Sequence, residues 1–396
     1  MTAPLAGYRI VEVAEHAFVP AASALLCDYG AEVIKIEPTG RGDAARGLSG
    51  VGPADIHPMF HNVNRGKQSL GLDLTTPEGR DILYRLAADA DVFLTNKVPP
   101  VRRKLKIDLD DIRAHNPKIV YVRGTGLGEH GPEADRGSYD LLAFWYRAGA
   151  AVGTISPQGD IPFLPAPGFG DVLGAAIIAG GIMGALLHRE RTGESPVVDA
   201  SLLATGMWAM SGALAVAAIE PNWAWPPGIR NPLSAIYRTK DGHWLALCCL
   251  QAGYYWPQLC GVIGRTELAK DERFADHQSL MTNNTAAAEI LAEVFAAHVL
   301  DEWRKRLDGF SGQWTVVQDT PRILHDPQAI ANGYLQQCQT ATGKPFTLVS
   351  APIQYDGTPA RTSRGPDFNE HGDAILTSLG LDWETVVEMK VRGVVT

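Results

Sequence analysis

The sequence predicts an α/β protein with a Rossmann-like domain. Three observations carry this. Short β-branched runs alternate with helical patterns through the first 125 residues. The first strand, helix and second strand fit in about thirty residues, the length of a βαβ unit with a right-handed crossover. A long uncharged run, Val172–Leu187, is bracketed by a Pro/Gly-rich approach and a charged, glycine-terminated end, which reads as a core helix.

Taken in order, Arg9–Ala14 is the first strand, and Pro20 stands at a first helical position with Ala21–Tyr29 following, closed by Gly30. Ala31–Glu37 is the second strand, ended by Pro38. Ser69–Leu74 is extended, Thr76-Pro77-Glu78 is a helix start, and Asp81–Ala90 is helical. Asp91–Thr95, Leu109–His115 and Lys118–Arg123 continue as strand, helix and strand. A helix-like segment lies between Ser138 and Gly153, and Ser201–Ile219 is a further apolar helical stretch. Composition changes at Pro221–Gly228, a linker. Beyond it, Ser234–Thr239 and His243–Cys248 form a hairpin around Asp241-Gly242, with helical patterns at 252–263 and 285–307. The remainder reads as short strands and one helix.

At 396 residues the chain has length for two or three domains. Its net charge of −9 argues against a general nucleic-acid binder. It leaves room for an anionic ligand held by local Lys and Arg residues, and Arg102, Arg103, Lys104 and Lys106 form such a cluster. Five scattered cysteines with no Cys-x-x-Cys pair fit a reducing, cytoplasmic setting without structural zinc. The first residues lack the basic and apolar regions of a signal peptide. Val172–Leu187 is shorter than the ~20 residues of a membrane span. His57-x-x-x-His61 has metal-ligand spacing, but Pro58 and a loop context argue against a metal. The Gly126-x-Gly128-x-x-Gly131 match follows a strand but opens no helix, and the loop after the first strand, Glu15–Pro20, has no glycine. A nicotinamide-dependent dehydrogenase is therefore disfavoured.

The segment Pro165-Ala-Pro-Gly-Phe-Gly-Asp171 places one carboxylate at the N-cap position of the apolar helix. An Asp there is ordinarily a cap. Around it, however, the order of motifs resembles the class III CoA-transferase family, which includes formyl-CoA, carnitine and benzylsuccinate CoA-transferases and has α-methylacyl-CoA racemase as a relative. The likeness rests on Pro4-Leu-Ala-Gly7, Gly30–Glu37, Gly42-Asp43 with Arg46, Asn64–Leu74 with Thr76–Gly79, Tyr139-Asp140, Gly170-Asp171, Val197–Leu202, Asp241–Trp244, Asp326–Gln328 and Glu370-His371. It spans nearly the whole chain.

The resemblance implies a large Rossmann-like CoA-binding domain from 1–220 completed by 331–396, and a smaller α+β domain at 221–330. It also implies a homodimer of two interlocked chains, with an acyl-CoA donor and a carboxylic acid acceptor as substrates. Asp171 matches the family's catalytic carboxylate. Ala17, Phe18, Leu72, Asp73, Leu74, Thr75, Asn96, Lys97, Val98, Lys104, Tyr139 and Asp140 match positions that hold CoA. Lys97 and Lys104 are expected to meet phosphates and Leu72 to flank the adenine. Backbone N–H groups of the glycine-flanked loop are candidate oxyanion donors.

Three departures stand out. Ala17 occupies a position where some transferases carry glutamine, leaving that contact absent or supplied by His16. The glycine-rich flap of the formyl-CoA enzyme has no counterpart in 221–260. Asn369 replaces a glycine. Racemases of the family pair the aspartate with a histidine in Gly-His-Asp; here the match is Ser138-Tyr139-Asp140, and a tyrosine of ordinary pKa ~10 is a poor base. The alternatives are thus a racemase-like isomerase or a non-catalytic CoA-binding protein. Trp145, Trp208, Trp223 and Trp225 are candidates for an apolar acyl pocket.

Overall fold

A computed structural model describes residues 3–48, 52–53, 55–151, 165–220, 222 and 231–396. The chain divides into two compact units, Met1–Trp223 with Pro327–Thr396, and Ala224–Asp326. The first contains six parallel strands: β1 (Arg9–Val13), β2 (Glu32–Glu37), β3 (Gln68–Gly71), β4 (Val92–Thr95), β5 (Val120–Thr125) and β6 (Val197–Ser201), in the order β3-β2-β1-β4-β5-β6. The order reverses between β1 and β4, which opens a crevice at the carboxyl ends of the strands. Ile10, Val33, Val92 and Val120 face one side, and Val11, Ile34, Phe93 and Tyr121 the other, all buried. Both faces are covered, which is why apolar residues stand on both sides of these strands rather than on one alone.

The helices of this unit begin with α1 (Phe18–Asp28), α2 (Pro58–Asn64), α3 (Pro77–Ala88), α4 (Pro99–Leu105), α5 (Leu109–Arg113), α6 (Phe169–Thr192), α7 (Leu202–Ala209) and α8 (Ser211–Ile219). Helix α1 starts two residues before the expected Pro20. A proline there removes an N–H that has no intrahelical acceptor in the first turn anyway. Helices α2 and α4 were not expected; each opens on a proline at its first position. Pro58 thus starts a helix rather than marking a loop. His61 accepts from Gly365 N–H at 3.0 Å and stacks on Phe346. The stretch expected as one helix over 201–219 is two, bent by 73° at Met210.

Helix α6 is 24 residues, longer than its uncharged run, and by length and composition alone could cross a membrane. It lies instead along α1 on the Ile10 face, burying Ala175, Ile178 and Ile182 beside Phe18, Val19 and Ala22. Its other side keeps Val172, Leu173 and Ile177 exposed, and Trp208 on α7 and Ile219 on α8 are exposed as well.

The second unit holds the antiparallel sheet β7 (Ile236–Arg238), β8 (Trp244–Leu247) and β9 (Trp314–Val316), with the expected hairpin turning at Gly242. Its helices are α9 (Ala252–Val262), α10 (His277–Thr282), α11 (Asn284–Ala296), α12 (Leu300–Leu307) and α13 (Thr320–Ile323). The helical pattern of 285–307 breaks before Leu300, whose N–H is received by Asp241 at 3.1 Å. The chain then returns to the first unit through α14 (Pro327–Ala331), a hairpin of β10 (Leu335–Gln339) and β11 (Pro345–Val349), and α15 (Gly372–Ser378) and α16 (Trp383–Val391), three helices from Asp326 onward where one was expected. Ile375, Leu376, Val386 and Met389 of this tail complete the Val11 face with Ile82 and Leu83 of α3. Asn369 sits at φ +56, a conformation asparagine tolerates better than other non-glycine residues. Its side chain accepts from Gly71 N–H at 2.9 Å and donates to Thr396 O at 2.6 Å, clipping the tail to β3.

Beneath the strand ends lies a buried ionic network. Lys35 donates to Glu12 at 2.8 Å and Ala14 O at 2.8 Å and pairs with Asp43 at 2.7 Å. Lys67 donates to Glu12, Pro20 O and Asn64 at 2.8–2.9 Å. Glu12, Lys35 and Lys67 side chains are fully inaccessible. Burial pushes the Glu12 carboxyl up, but the two lysines outweigh it and hold it below its ordinary range. Burial brings Lys67 down to about 8. Because the two cations match two carboxylates, deleting one strands a buried charge. Lys35→Met is expected to destabilise the protein by about 3–5 kcal/mol, measured as a lowered denaturant midpoint at unchanged slope.

Candidate active site

The glycine-free loop after β1 holds its shape through side chains. His16 adopts φ +69, a strained backbone conformation for a non-glycine residue, fixed by its N–H donating to Asp43 at 3.0 Å. Asn96, just past β4, clamps the preceding residue from both sides: it accepts from Glu15 N–H at 3.2 Å and donates to Glu15 O at 2.6 Å.

Two clefts flank this loop. The smaller, about 80 Å³, is lined by His16, Ala17, Phe18, Asn96, Val98, Ser138, Tyr139 and Asp171. The larger, about 320 Å³, is lined by Leu72, Asp73, Leu74, Thr75 and Lys97, with Glu15, Thr39 and Arg41. The expected residues thus gather on both sides of the loop, with two exceptions. Lys104 is exposed and lines neither cleft. Asp140 is buried and turned toward α6. The expected basic cluster also dissolves: Arg102 points inward, where Glu129 takes it at 2.6 and 3.0 Å and Asp108 at 3.1 Å. Glu129 belongs to the Gly126–Gly131 loop, which serves this pairing and leads into no helix.

Glu15 and Arg41 were missed from sequence. Glu15 holds Arg41 at 2.5 Å and also receives Lys97. Burial pushes the Glu15 carboxyl up, and the two cations pull it below its ordinary range. The available signal was position: Arg41 lies just beyond β2, where doubly wound folds meet a ribose.

Asp171 is not the N-cap of α6. That position is Gly168, at φ +75, and Asp171 is the third helical residue. Because Gly168 offers no capping side chain, Asp140 supplies one from elsewhere in the chain. Both its oxygens lie 3.1 Å from the Gly170 nitrogen and accept from its N–H. A Cβ on Gly170 would lie 2.3 Å from Asp140 Oδ1 and 2.4 Å from Phe144, so only glycine admits this approach. Asp140 immediately precedes a wide-turned π-helical segment, Leu141–Arg147, a form common near functional sites. Burial raises the Asp171 carboxyl to about 7, and the Asp140 charge adds to the effect. Burial also raises Asp140, against the N–H groups it receives.

Three of the backbone donors around the glycine-flanked loop are already engaged: Phe169 N–H goes to Ala166 O, Gly170 N–H to Asp140, and Val172 N–H to Gly168 O. The polar side chains left facing the cleft are His16, Ser138 and Tyr139, with His16 and Tyr139 in edge contact at 5.5 Å. Of the tryptophans among the described residues, Trp145 is buried beside Phe144 and Phe169 and Trp208 is 74% exposed, and neither lines the cleft; Trp223 and Trp225 lie outside the described residues. Among the described residues no group of three or more His, Cys, Asp or Glu side chains is arranged for a metal.

The model of CoA-transferase family III matches residues 5–372. The (R)-2-hydroxy-4-methylpentanoate CoA-transferase of Clostridioides difficile is 31% identical over 404 residues, covering 99% of each chain. The cinnamoyl-CoA:phenyllactate CoA-transferase of Clostridium sporogenes is 28% identical, covering 97% of this chain and 95% of its own. A crystal structure of a CAIB/BAIF family protein from Brucella suis superposes with a TM-score of 0.83 at 29% identity, over 96% of this chain and all of that one. With the parallel sheet, the crevice at its reversal and the carboxylate at the head of α6 in place, the chain belongs to CoA-transferase family III and is an enzyme that moves CoA between an acyl-CoA thioester and a free carboxylate.

Proposed function

We propose that the transfer runs through covalent intermediates on Asp171. The observation that carries this is a carboxylate of raised basicity at the head of α6, facing a cleft at the carboxyl ends of β1, β4 and β5. The Asp171 oxygen attacks the thioester carbonyl carbon and the C–S bond breaks, giving a mixed anhydride and CoA thiolate. The thiolate attacks the Asp171 carbonyl carbon and the donor acid leaves as its carboxylate. An incoming carboxylate then attacks the aspartyl thioester, expelling thiolate, which attacks the new acyl carbon and frees Asp171. Each step exchanges one acyl bond for another, so no single displacement carries the whole barrier. His16, Ser138 and Tyr139 are the donors we assign to the developing oxyanions.

CoA lies across both clefts in this reading, its nucleotide in the larger one and its thioester at Asp171. Lys97 and Arg41, gathered by Glu15, supply the charge facing its phosphates. The enzyme works as a cytoplasmic homodimer. Its five cysteines are all free, and the uncovered apolar strip of α6–α8 is the surface a second copy would bury. Abstraction of an α-proton would require a second base opposite Asp171, and His16 is the imidazole lining that cleft.

Intact-protein mass after incubation with a panel of acyl-CoAs is expected to show an adduct mapping to Asp171 and lost in Asp171→Ala. No adduct, with deuterium entering the α-carbon in heavy water, would replace transfer by racemisation. Asp171→Asn is expected to abolish transfer and to raise the thermal midpoint. A carboxyl raised on folding weighs against the folded state only when ionised, so the gain is absent below about pH 4, grows toward pH 7 and is constant above it. Sedimentation is expected to report a dimer, with Ile177→Glu shifting it toward monomer.

A further inference from the structure

We propose that Asp140 is a positioning residue whose buried negative charge drives Asp171 toward its acylated forms, and so sets how much enzyme rests as covalent intermediate during turnover. This rests on the covalent reading above. Asp140 is 6% exposed, it accepts from Gly170 N–H, and no lysine or arginine among the described residues pairs with it. It occupies the positive end of α6, the place from which backbone N–H groups would otherwise stabilise an Asp171 anion. The groups facing Asp171 from other elements offer no lysine or arginine among the described residues. The β1 loop brings His16, the end of β4 brings Asn96 with both polar atoms spent on Glu15, and the approach to the π-helical segment brings Ser138, Tyr139 and Asp140. From α2, the Met59 methyl reaches the cap residue Gly168.

The charge balance follows from the chemistry. Free enzyme holds two carboxylates at the head of one helix. When Asp171 becomes the aspartyl thioester it is neutral, and the negative charge departs on the donor acid. The repulsion by Asp140 is then relieved, as it is when Asp171 binds a proton. Whatever factor Asp140 contributes to protonation of Asp171, it contributes equally to acylation. Asp140→Asn separates this role from capping, because the amide oxygen still accepts from Gly170 N–H while the charge is gone.

With acyl-CoA and free acid at fixed ratio and pH 8.5, above the Asp171 titration, Asp140→Asn is expected to lower the covalent-to-free ratio read by intact mass about tenfold. The acid limb of kcat/KM is expected to move down by about one pH unit, the same factor of ten. If both stay in place while the variant folds, Asp140 is a helix cap and the proposal fails. Should the variant not fold, the unaltered enzyme supplies the test. At pH 7, forming the aspartyl thioester in weakly buffered indicator is expected to release a fraction of a proton per site, because part of Asp171 starts protonated; no release overturns the proposal. Absence of any adduct on the unaltered enzyme would instead sink the covalent reading itself.

Discussion

The strand ends of this protein are held by charges sealed from water. Glu12 from β1, Lys35 from β2 and Lys67 before β3 meet Asp43 and Asn64 in a network with two cations and two carboxylates. The same Asp43 receives His16 N–H, and Glu37, beside Lys35 on β2, takes Arg46 at 2.7 Å and Ser69 at 2.6 Å. A doubly wound fold commonly uses glycines to shape its first loop around a ligand. Here an ionic scaffold does so from below. It leaves a loop with side chains, His16 among them, where a dinucleotide fold would present bare backbone. The network's worth therefore lies in specifying one loop conformation rather than in net stability, since buried ion pairs contribute little once desolvation is counted.

Much of the fold was legible because its signals are local. Strands β1, β2 and β4 announce themselves as apolar runs, and Thr76-Pro77-Glu78 marks α3 through a cap that the structure confirms, Thr76 accepting from Gly79 N–H at 3.0 Å. Helices α2 and α4 were lost because each is short and proline-led, and a proline reads as punctuation when it is in fact a first helical residue. The bend at Met210 went unread because both arms are apolar, although Ser211-Gly212 stands just past it.

The site divides in the same way. Asp171 and the residues on the strand ends could be named from motif order, because each motif sits at a fixed place in the chain. The partners Glu15 and Arg41 could not, since they meet across 26 residues and their meaning lies in that meeting. Asp140 was named as a CoA-holding residue, while its burial and its aim at α6 could not be foreseen, because they depend on Gly168 lacking a side chain and on Gly170 admitting a carboxylate at contact distance. Arg102 shows the reverse error. Four basic residues within five positions look like a patch, yet the turn of α4 sends one of them inward to Glu129.

Helix α6 has little difference between its faces in composition, and so it serves two masters. Its inner side packs on α1, its first turn carries Asp171, and Val172 and Leu173, the very next residues, lie bare on the outer side. Substitutions that would make that outer side more polar fall one and two positions from Asp171, the carboxylate we propose as nucleophile, on the same rigid rod. In evolutionary terms the surface and the chemistry are not free to drift apart: a lineage that changes what covers α6 must search among sequences that still hold Asp171 in register, and divergence in substrate is easier to reach through the separate loops around the cleft than through the helix itself.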